Sequence, residues 1–132
     1  MEKKKINVSM LQMTSVIGDV EANCQKVKNL IEKYLDKSTD VLVLPEVWTV
    51  GWACQHFRKS AQDLKDSNVV RFLSSIAKKY NINIIGGSFI TVKDGKYYNT
   101  CPVIDRNGKL LTTYSNSISF FITKPAITFS SS

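Results

Sequence analysis

The sequence predicts an α/β protein in which a mixed β-sheet is flanked by two helices. Apolar segments rich in β-branched residues alternate with two segments of helical period, and hairpin signals follow. The chain has 132 residues, of which 43% are apolar and 22% charged. This length and composition are typical of one globular domain with a hydrophobic core.

The first half of the chain predicts a strand, a helix and a second strand. Residues 6–13 are apolar and partly β-branched, as expected of a strand. From Val20 to Leu35 the apolar residues recur at steps of four and three, which predicts a helix, and Asp19 is a plausible N-cap. Residues 40–45, DVLVLP, form a short apolar run that suits a central strand buried on both faces.

The second half predicts one more helix and then a β-meander. Val69, Leu73, Ile76 and Tyr80 share one helix face. Residues 82–92 follow as a strand, in which the Gly86–Gly87 pair marks a bulge or a close backbone approach. KDGK and RNGK are turn sequences, so we expect hairpins over residues 88–113.

Residues 114–132 differ in composition from the rest of the chain. They contain six serines, one positive charge and no acidic residue, without a clear period. We therefore expect the family-like domain to span residues 1–113, followed by a divergent Ser-rich tail over residues 114–132.

Composition excludes several function classes. The net charge of +7 comes from lysines and arginines that are scattered along the chain, so we expect no nucleic-acid partner. No apolar run approaches the about 18 residues of a membrane span, and no signal peptide is recognisable. We expect a cytoplasmic protein without membrane contact.

Cys24, Cys54 and Cys101 lack metal-ligand spacing and His56 is the single histidine, which argues against a metal site or a disulfide framework.

Glu46 is the residue with the most informative surroundings. It lies in TDVLVLPEVWTVGW, just after a predicted buried strand and between aromatic residues. Partial desolvation there would raise its proton affinity toward the range useful for a general base. Trp48 and Trp52 are then candidates for the walls of a substrate pocket. In the plain alternative, Glu46 caps a loop and contacts a surface lysine.

Several segments together resemble the nitrilase or carbon–nitrogen hydrolase superfamily, N-terminal portion only, and most of all its ω-amidase-like branch. They are Gln12, Asn23, VLVLPEVW, GGS at residues 86–88, and YYNTCPVIDRNGKLL. The resemblance implies an αββα sandwich, here incomplete, and hydrolysis of a small amide or nitrile by glutamate, lysine and cysteine without a cofactor. Glu46 matches the glutamate, which acts as general base.

The resemblance fails at the other two functional positions. The family motif Tyr-Arg-Lys-(Ile/Val)-His-Leu-Phe corresponds to YSNSISFF, so Asn116 or Ser117 replaces the lysine. We interpret Cys24 and Cys101 as packing residues, and Cys54 near His56 as a poor nucleophile candidate.

We expect a truncated chain that lacks the nucleophilic cysteine and is inactive by itself. Its uncovered sheet face is expected to favour self-association. Two alternatives stay open: half of a split amidase completed by a second chain, and an α/β interaction module.

Overall fold

The computed structural model of the protein describes residues 5–119. Its strands are β1 (Val8–Met10), β2 (Val41–Val43), β3 (Asn83–Ile85), β4 (Phe89–Lys93), β5 (Lys96–Ile104) and β6 (Leu110–Ile118). Its helices are α1 (Val20–Tyr34), α2 (Phe57–Ser60) and α3 (Asn68–Tyr80). Two short 3-10 turns, Cys54–His56 and Leu64–Asp66, precede α2 and α3.

The six strands form one mixed sheet, which confirms the predicted fold class. β1, β2 and β3 are parallel neighbours. β5 is antiparallel to its three neighbours. β3 and β4 pair with different parts of one edge of β5, and β6 pairs with the other edge. β4, β5 and β6 are the predicted meander, with tight turns at Asp94–Gly95 and Asn107–Gly108.

The predicted strand over residues 82–92 is divided in two at its glycine pair. Gly87 has φ +61°, and a Cβ there would lie 1.9 Å from the carbonyl oxygen of Pro45. The backbone of this segment therefore touches the chain that follows β2, as the glycines predicted, and the sheet ladder is interrupted between β3 and β4.

One face of the sheet is covered by α1 and α3. Leu42, Ile84 and Ile104 point from the strands into this interface and are almost fully buried. The helices contribute Val27, Ile31, Val69, Leu73, Ile76 and Ala77. Both helices begin at side-chain caps, where Asp19 accepts from the Ala22 amide and Ser67 from the Val70 amide. The helical periods read from the sequence are thus confirmed.

Within residues 5–119, no helix or strand covers the opposite face of the sheet. Val8, Met10, Ile85 and Tyr114 are 55%, 79%, 40% and 69% exposed. The expectation that β2 is buried on both faces is wrong for this reason, since Leu42 is buried but its two neighbours in β2 are only half-buried. Residues 5–119 thus form one helical layer and one sheet layer, half of the four layers that the resemblance implies.

Two predicted boundaries require correction, and one short helix was not predicted. The first strand covers only Val8–Met10, because the residues on either side make no regular ladder. The boundary at residue 113 falls inside β6, so residues 114–118 continue the sheet and are not a tail. Residues 120–132 of the predicted tail lie outside the described residues. The polar loop before α3 contains the one-turn helix α2, which the sequence pattern did not indicate.

Candidate functional site

Glu46 lies in the turn that follows β2, at the carboxyl end of a parallel strand. Leu44 still donates a backbone hydrogen bond of 3.0 Å to Ile85, and the chain then leaves the sheet through Pro45. The Glu46 side chain is exposed. The expected partial desolvation is therefore not observed, because the carboxylate projects from the sheet into a groove that the described residues leave open.

The backbone around Glu46 is held by the segment between β3 and β4. The Val47 amide donates a 2.8 Å hydrogen bond to the Ser88 hydroxyl, and the Ser88 amide donates one of 3.2 Å to the Pro45 carbonyl. Val47 is fully buried and has φ 51°, a left-handed conformation that β-branched residues rarely adopt. Such strain persists only where the surrounding contacts enforce it. The direction of Glu46 is thus set by buried contacts.

A groove of about 270 Å³ opens beside Glu46 on the uncovered face of the sheet. We call it the Glu46 groove. Its lining residues come from the β2 turn, the β3–β4 segment, β5 and β6: Leu44, Glu46, Ile85, Gly87, Ser88, Asn99, Cys101, Tyr114 and Asn116. None of these described lining residues is a lysine or an arginine.

The structure separates the two candidates for the lysine position. Asn116 pairs with Asn99 of β5 and lines the Glu46 groove. Ser117 is the next residue of β6, and successive side chains of a strand point to opposite faces. Asn116 therefore shares a sheet face with Glu46, and Ser117 does not.

Cys101 lies in the Glu46 groove, although we interpreted it as a packing residue. It is half-buried, and burial raises the pKa of its thiol above the ordinary value of 9.0, while a hydrogen bond from the Gly86 backbone lowers it by less. A raised pKa keeps the sulfur protonated at neutral pH, the opposite of what activates a cysteine nucleophile.

The other two cysteines lie away from the groove. Cys24 packs against the main core from α1, and burial, followed by the charge of Glu21, raises the pKa of its thiol to about 11. This agrees with its interpretation as a packing residue. Cys54 is exposed in a 3-10 turn, and His56 packs its ring against Gly18.

The two tryptophans do not form pocket walls around Glu46. Trp48 is fully buried, and its indole N–H donates a 2.9 Å hydrogen bond to the carbonyl of Gly86. Trp48 is therefore not a wall of the Glu46 groove, because the turn directs it into the core. Trp52 is 66% exposed and packs at an angle against Phe57, and it is not a lining residue of the Glu46 groove.

Asn99 is a groove residue to which sequence reasoning gave no role. Its side-chain amide donates a 2.9 Å hydrogen bond to Oε1 of Glu46. A signal did exist in the sequence, because Asn99 belongs to the YYNT stretch on which the resemblance rests. The contact with Glu46 had no such signal, because it depends on the register of β5.

A larger groove of about 610 Å³ lies on the other face of β5 and β6. In its lining, the Thr100 hydroxyl hydrogen-bonds that of Thr91 at 2.7 Å and that of Ser115 at 2.8 Å. Asp63, Lys65, Lys93 and Asp94 also line this larger groove, but neither Glu46 nor Asn116 does. The Glu46 groove is the candidate site.

Residues 5–119 contain no cluster of three or more histidine, cysteine, aspartate or glutamate side chains that could hold a metal ion. Within the same range, no helix has both the length and the hydropathy needed to cross a membrane.

Comparison with known proteins gives matches over most of the chain. A family model described as carbon-nitrogen hydrolase matches residues 7–128. The 2-oxoglutaramate amidase of Bacillus subtilis is 34% identical over 110 residues, which are 83% of this chain and 42% of the relative. An omega-amidase of Saccharomyces cerevisiae is 31% identical over 115 residues, which are 82% of this chain and 40% of the relative. The chain thus spans about two fifths of the length of these curated relatives.

Solved structures show the same fold. The crystal structure of Saccharomyces cerevisiae Nit3, a member of branch 10 of the nitrilase superfamily, superposes with a TM-score of 0.77 at 30% identity. The match covers 84% of this chain and 44% of that one. A CN-hydrolase superfamily protein of Xanthomonas campestris superposes with a TM-score of 0.74 at 21% identity, which supports the fold alone.

Proposed function

Because the chain belongs to the carbon-nitrogen hydrolase family, we propose that its Glu46 groove is the general-base part of an amidase site, and that these 132 residues alone do not complete the reaction. The observation that carries the proposal is the composition of the groove. Glu46 faces it together with two asparagines, and no described lining residue carries a positive charge.

Glu46 is suited to accept a proton. The backbone on either side of it is held by the contacts of Pro45 and Val47 with Ser88, and its carboxylate is open to the groove, so a thiol or a water molecule can reach it. A general base must lie within hydrogen-bond distance of the proton that it removes. Glu46 would take the proton of the nucleophile and later that of the hydrolytic water.

The described lining of the Glu46 groove lacks the positive charge that would stabilise a tetrahedral intermediate. Asn116 shares the face of Glu46 and can donate a hydrogen bond, but it carries no positive charge. Loss of one oxyanion-stabilising group typically lowers kcat by about 10²–10³-fold.

Among the described lining residues there is also no activated nucleophile. Cys101 is the thiol that lines it, and burial raises the pKa of that thiol. A thiol that stays protonated attacks a carbonyl carbon poorly, because the thiolate is the nucleophile. We therefore assign no catalytic role to Cys101.

The substrate class follows from the relatives and is part of the proposal. The Bacillus subtilis relative is a 2-oxoglutaramate amidase and a yeast relative is an omega-amidase. A site completed by a cation and a thiolate nucleophile would cleave the terminal carboxamide of a short dicarboxylic acid monoamide.

The test is ammonia release by the purified 132-residue chain. We expect no release from 2-oxoglutaramate, from glutamine or from a small aliphatic nitrile, and identical traces for wild type, Glu46→Gln and Cys101→Ser. Turnover that disappears in Glu46→Gln would overturn the claim that the chain alone is inactive. Turnover that disappears only in Cys101→Ser would assign the nucleophile to that thiol.

The uncovered sheet face favours a second candidate, in which another polypeptide completes the site or binds as a partner. Val8, Met10, Ile85 and Tyr114 expose apolar surface on the face onto which the groove opens. Exposed apolar patches mark interaction surfaces. Light scattering distinguishes a monomer from self-association, and Met10→Lys should abolish association through this face. Activity that appears only on addition of a second chain would establish a split amidase.

The cytoplasmic location and the lack of a nucleic-acid partner belong to the same proposal. Fractionation of expressing cells tests the location. Retention on DNA that falls steeply with salt would contradict the second expectation.

A further inference from the structure

Asn99 connects the centre of the sheet to the Glu46 carboxylate. It lies in β5, opposite Ile90 of β4 on one side and Asn116 of β6 on the other. From there its Nδ2 donates to Oε1 of Glu46 at 2.9 Å, across 53 positions of sequence. Because β5 is paired along both edges, the backbone of Asn99 is fixed, and its amide meets the carboxylate from a rigid element.

The other end of the Asn99 amide is left without a partner. Its Oδ1 is buried and accepts no hydrogen bond from any residue between 5 and 119. A buried, unpaired acceptor costs free energy, and asparagine is also unfavourable in strands. Rotating the amide by half a turn would place Oδ1 against the Glu46 carboxylate, where two acceptors repel each other. The observed orientation of the amide therefore gives Glu46 a hydrogen bond and leaves Oδ1 without one.

We propose that Asn99 is a positioning residue for Glu46. The proposal rests on the function of Glu46 as general base and adds to it. Asn99 occupies Oε1 and restricts the rotation of the Glu46 side chain, which leaves Oε2 directed into the groove to accept a proton. Departures from local preference are expected at functional sites, where the geometry of a reacting group outweighs the stability of its surroundings.

The first test follows the side-chain amide of Asn99 by NMR during a pH titration. In wild type, the two Nδ2 protons should shift as Glu46 takes up a proton, since the acceptor of one of them changes charge. Glu46→Gln should remove this step. Glu21→Gln, a matched change of an exposed glutamate on α1, should leave it intact. An Asn99 amide that does not respond to Glu46, or responds equally in Glu46→Gln, overturns the proposal.

The second test asks whether Asn99 orders Glu46. In Asn99→Ala the methylene groups of Glu46 should gain mobility in side-chain relaxation, while the amide shifts of Ile84 and Ile104 in the core stay unchanged. Asn99→Asp should loosen Glu46 at neutral pH and restore its order in acid, where a protonated carboxyl can donate again. Unchanged mobility of Glu46 in both variants would contradict a positioning role.

A double-mutant cycle measures the same contact without NMR. We expect Glu46→Ala and Asn99→Ala to be non-additive by about threefold or more in the unfolding equilibrium constant, since contacting residues couple. Additive effects of the two substitutions would show that the Glu46 and Asn99 side chains do not interact. None of these measurements needs turnover, so they can be interpreted even if the amidase proposal is wrong. Negative results in all three would contradict the role of Asn99 and would not bear on the amidase proposal.

Discussion

The Val47 amide donates a 2.8 Å hydrogen bond to the Ser88 hydroxyl, across 41 positions of sequence. This bond joins the turn after β2 to the segment between β3 and β4. It satisfies a buried N–H that the left-handed conformation of Val47 directs away from the sheet.

Ser88→Ala should destabilise the protein by about 1–3 kcal/mol, because it leaves the buried Val47 amide unpaired. Ser75→Ala is the matched control. Ser75 is exposed on α3, where its hydroxyl contacts only the Phe72 carbonyl of its own helix, and its loss should stay within about 0.5 kcal/mol. Urea denaturation followed by circular dichroism measures both, and equal losses would contradict the role of Ser88.

Gly87→Ala should cost more than about 4 kcal/mol and leave little folded protein. The new methyl group would lie 1.9 Å from the Pro45 carbonyl oxygen, which is backbone and cannot move aside.

Gly95→Ala is the control for backbone strain alone. Gly95 has φ +73°, and beyond its own chain neighbours no atom lies within 4 Å of the position that a Cβ would take. Alanine there should therefore cost only about 1–2 kcal/mol. A Gly87→Ala protein that melts close to Gly95→Ala would show that the contact with Pro45 is not tight.

The two tryptophans should differ in fluorescence. Trp48 is fully buried and Trp52 is 66% exposed. Trp52→Phe should therefore leave blue-shifted emission that acrylamide quenches poorly, and Trp48→Phe should leave red-shifted emission that it quenches readily. Trp48→Phe should also lower stability, because it removes a buried hydrogen bond and core volume. The reverse quenching pattern would contradict the placement of Trp48 in the core.

The three thiols should react at different rates with a disulfide reagent in mildly alkaline buffer. Cys54 is exposed, whereas burial raises the pKa of the Cys101 thiol and raises that of Cys24 to about 11. We expect one fast phase that Cys54→Ser removes, followed by slow phases. A fast phase that survives in Cys54→Ser would contradict this order.

Stability should fall in alkaline solution because of Cys24. The folded state raises the thiol pKa from 9.0 to about 11, so the folded state holds this proton more tightly than the unfolded state. The contribution is complete below about pH 9 and is lost as the pH rises toward 11. The midpoint of urea unfolding should therefore decline less between these values in Cys24→Ala than in wild type.

Asn116→Lys should place an ammonium group beside the Glu46 carboxylate. We expect a gain of about 0.2–1 kcal/mol, as for an exposed ion pair, that disappears in about 1 M salt and in the Glu46→Gln background. Ser117→Lys is the control, because its side chain points to the other face. An equal, salt-sensitive gain in Ser117→Lys would show that β6 is in a different register.

The sequence predicted the elements well where one local pattern decides them. The helical periods, the Asp19 cap and both hairpin turns required only neighbouring residues. Glu46 was found because it follows a recognisable strand. What could not be predicted depends on pairing across the chain: the exposure of Glu46, the burial of Trp48, and the contact of Asn99 with the carboxylate. Asn116 and Ser117 were indistinguishable in sequence because only the register of β6 on β5 assigns each to a face.

The register of β5 in the sheet determines which of its side chains enter the core and which face the Glu46 groove. Ile104 enters the core at one end, while Asn99 and Cys101 face the groove nearer the other. Sliding this strand by one residue against its neighbours would turn every one of its side chains over. Ile104 would then meet water, and Thr100 would replace Asn99 beside the carboxylate. The register of β5 is therefore held from both faces, by the packing of Ile104 in the core and by the contact of Asn99 with Glu46 in the groove.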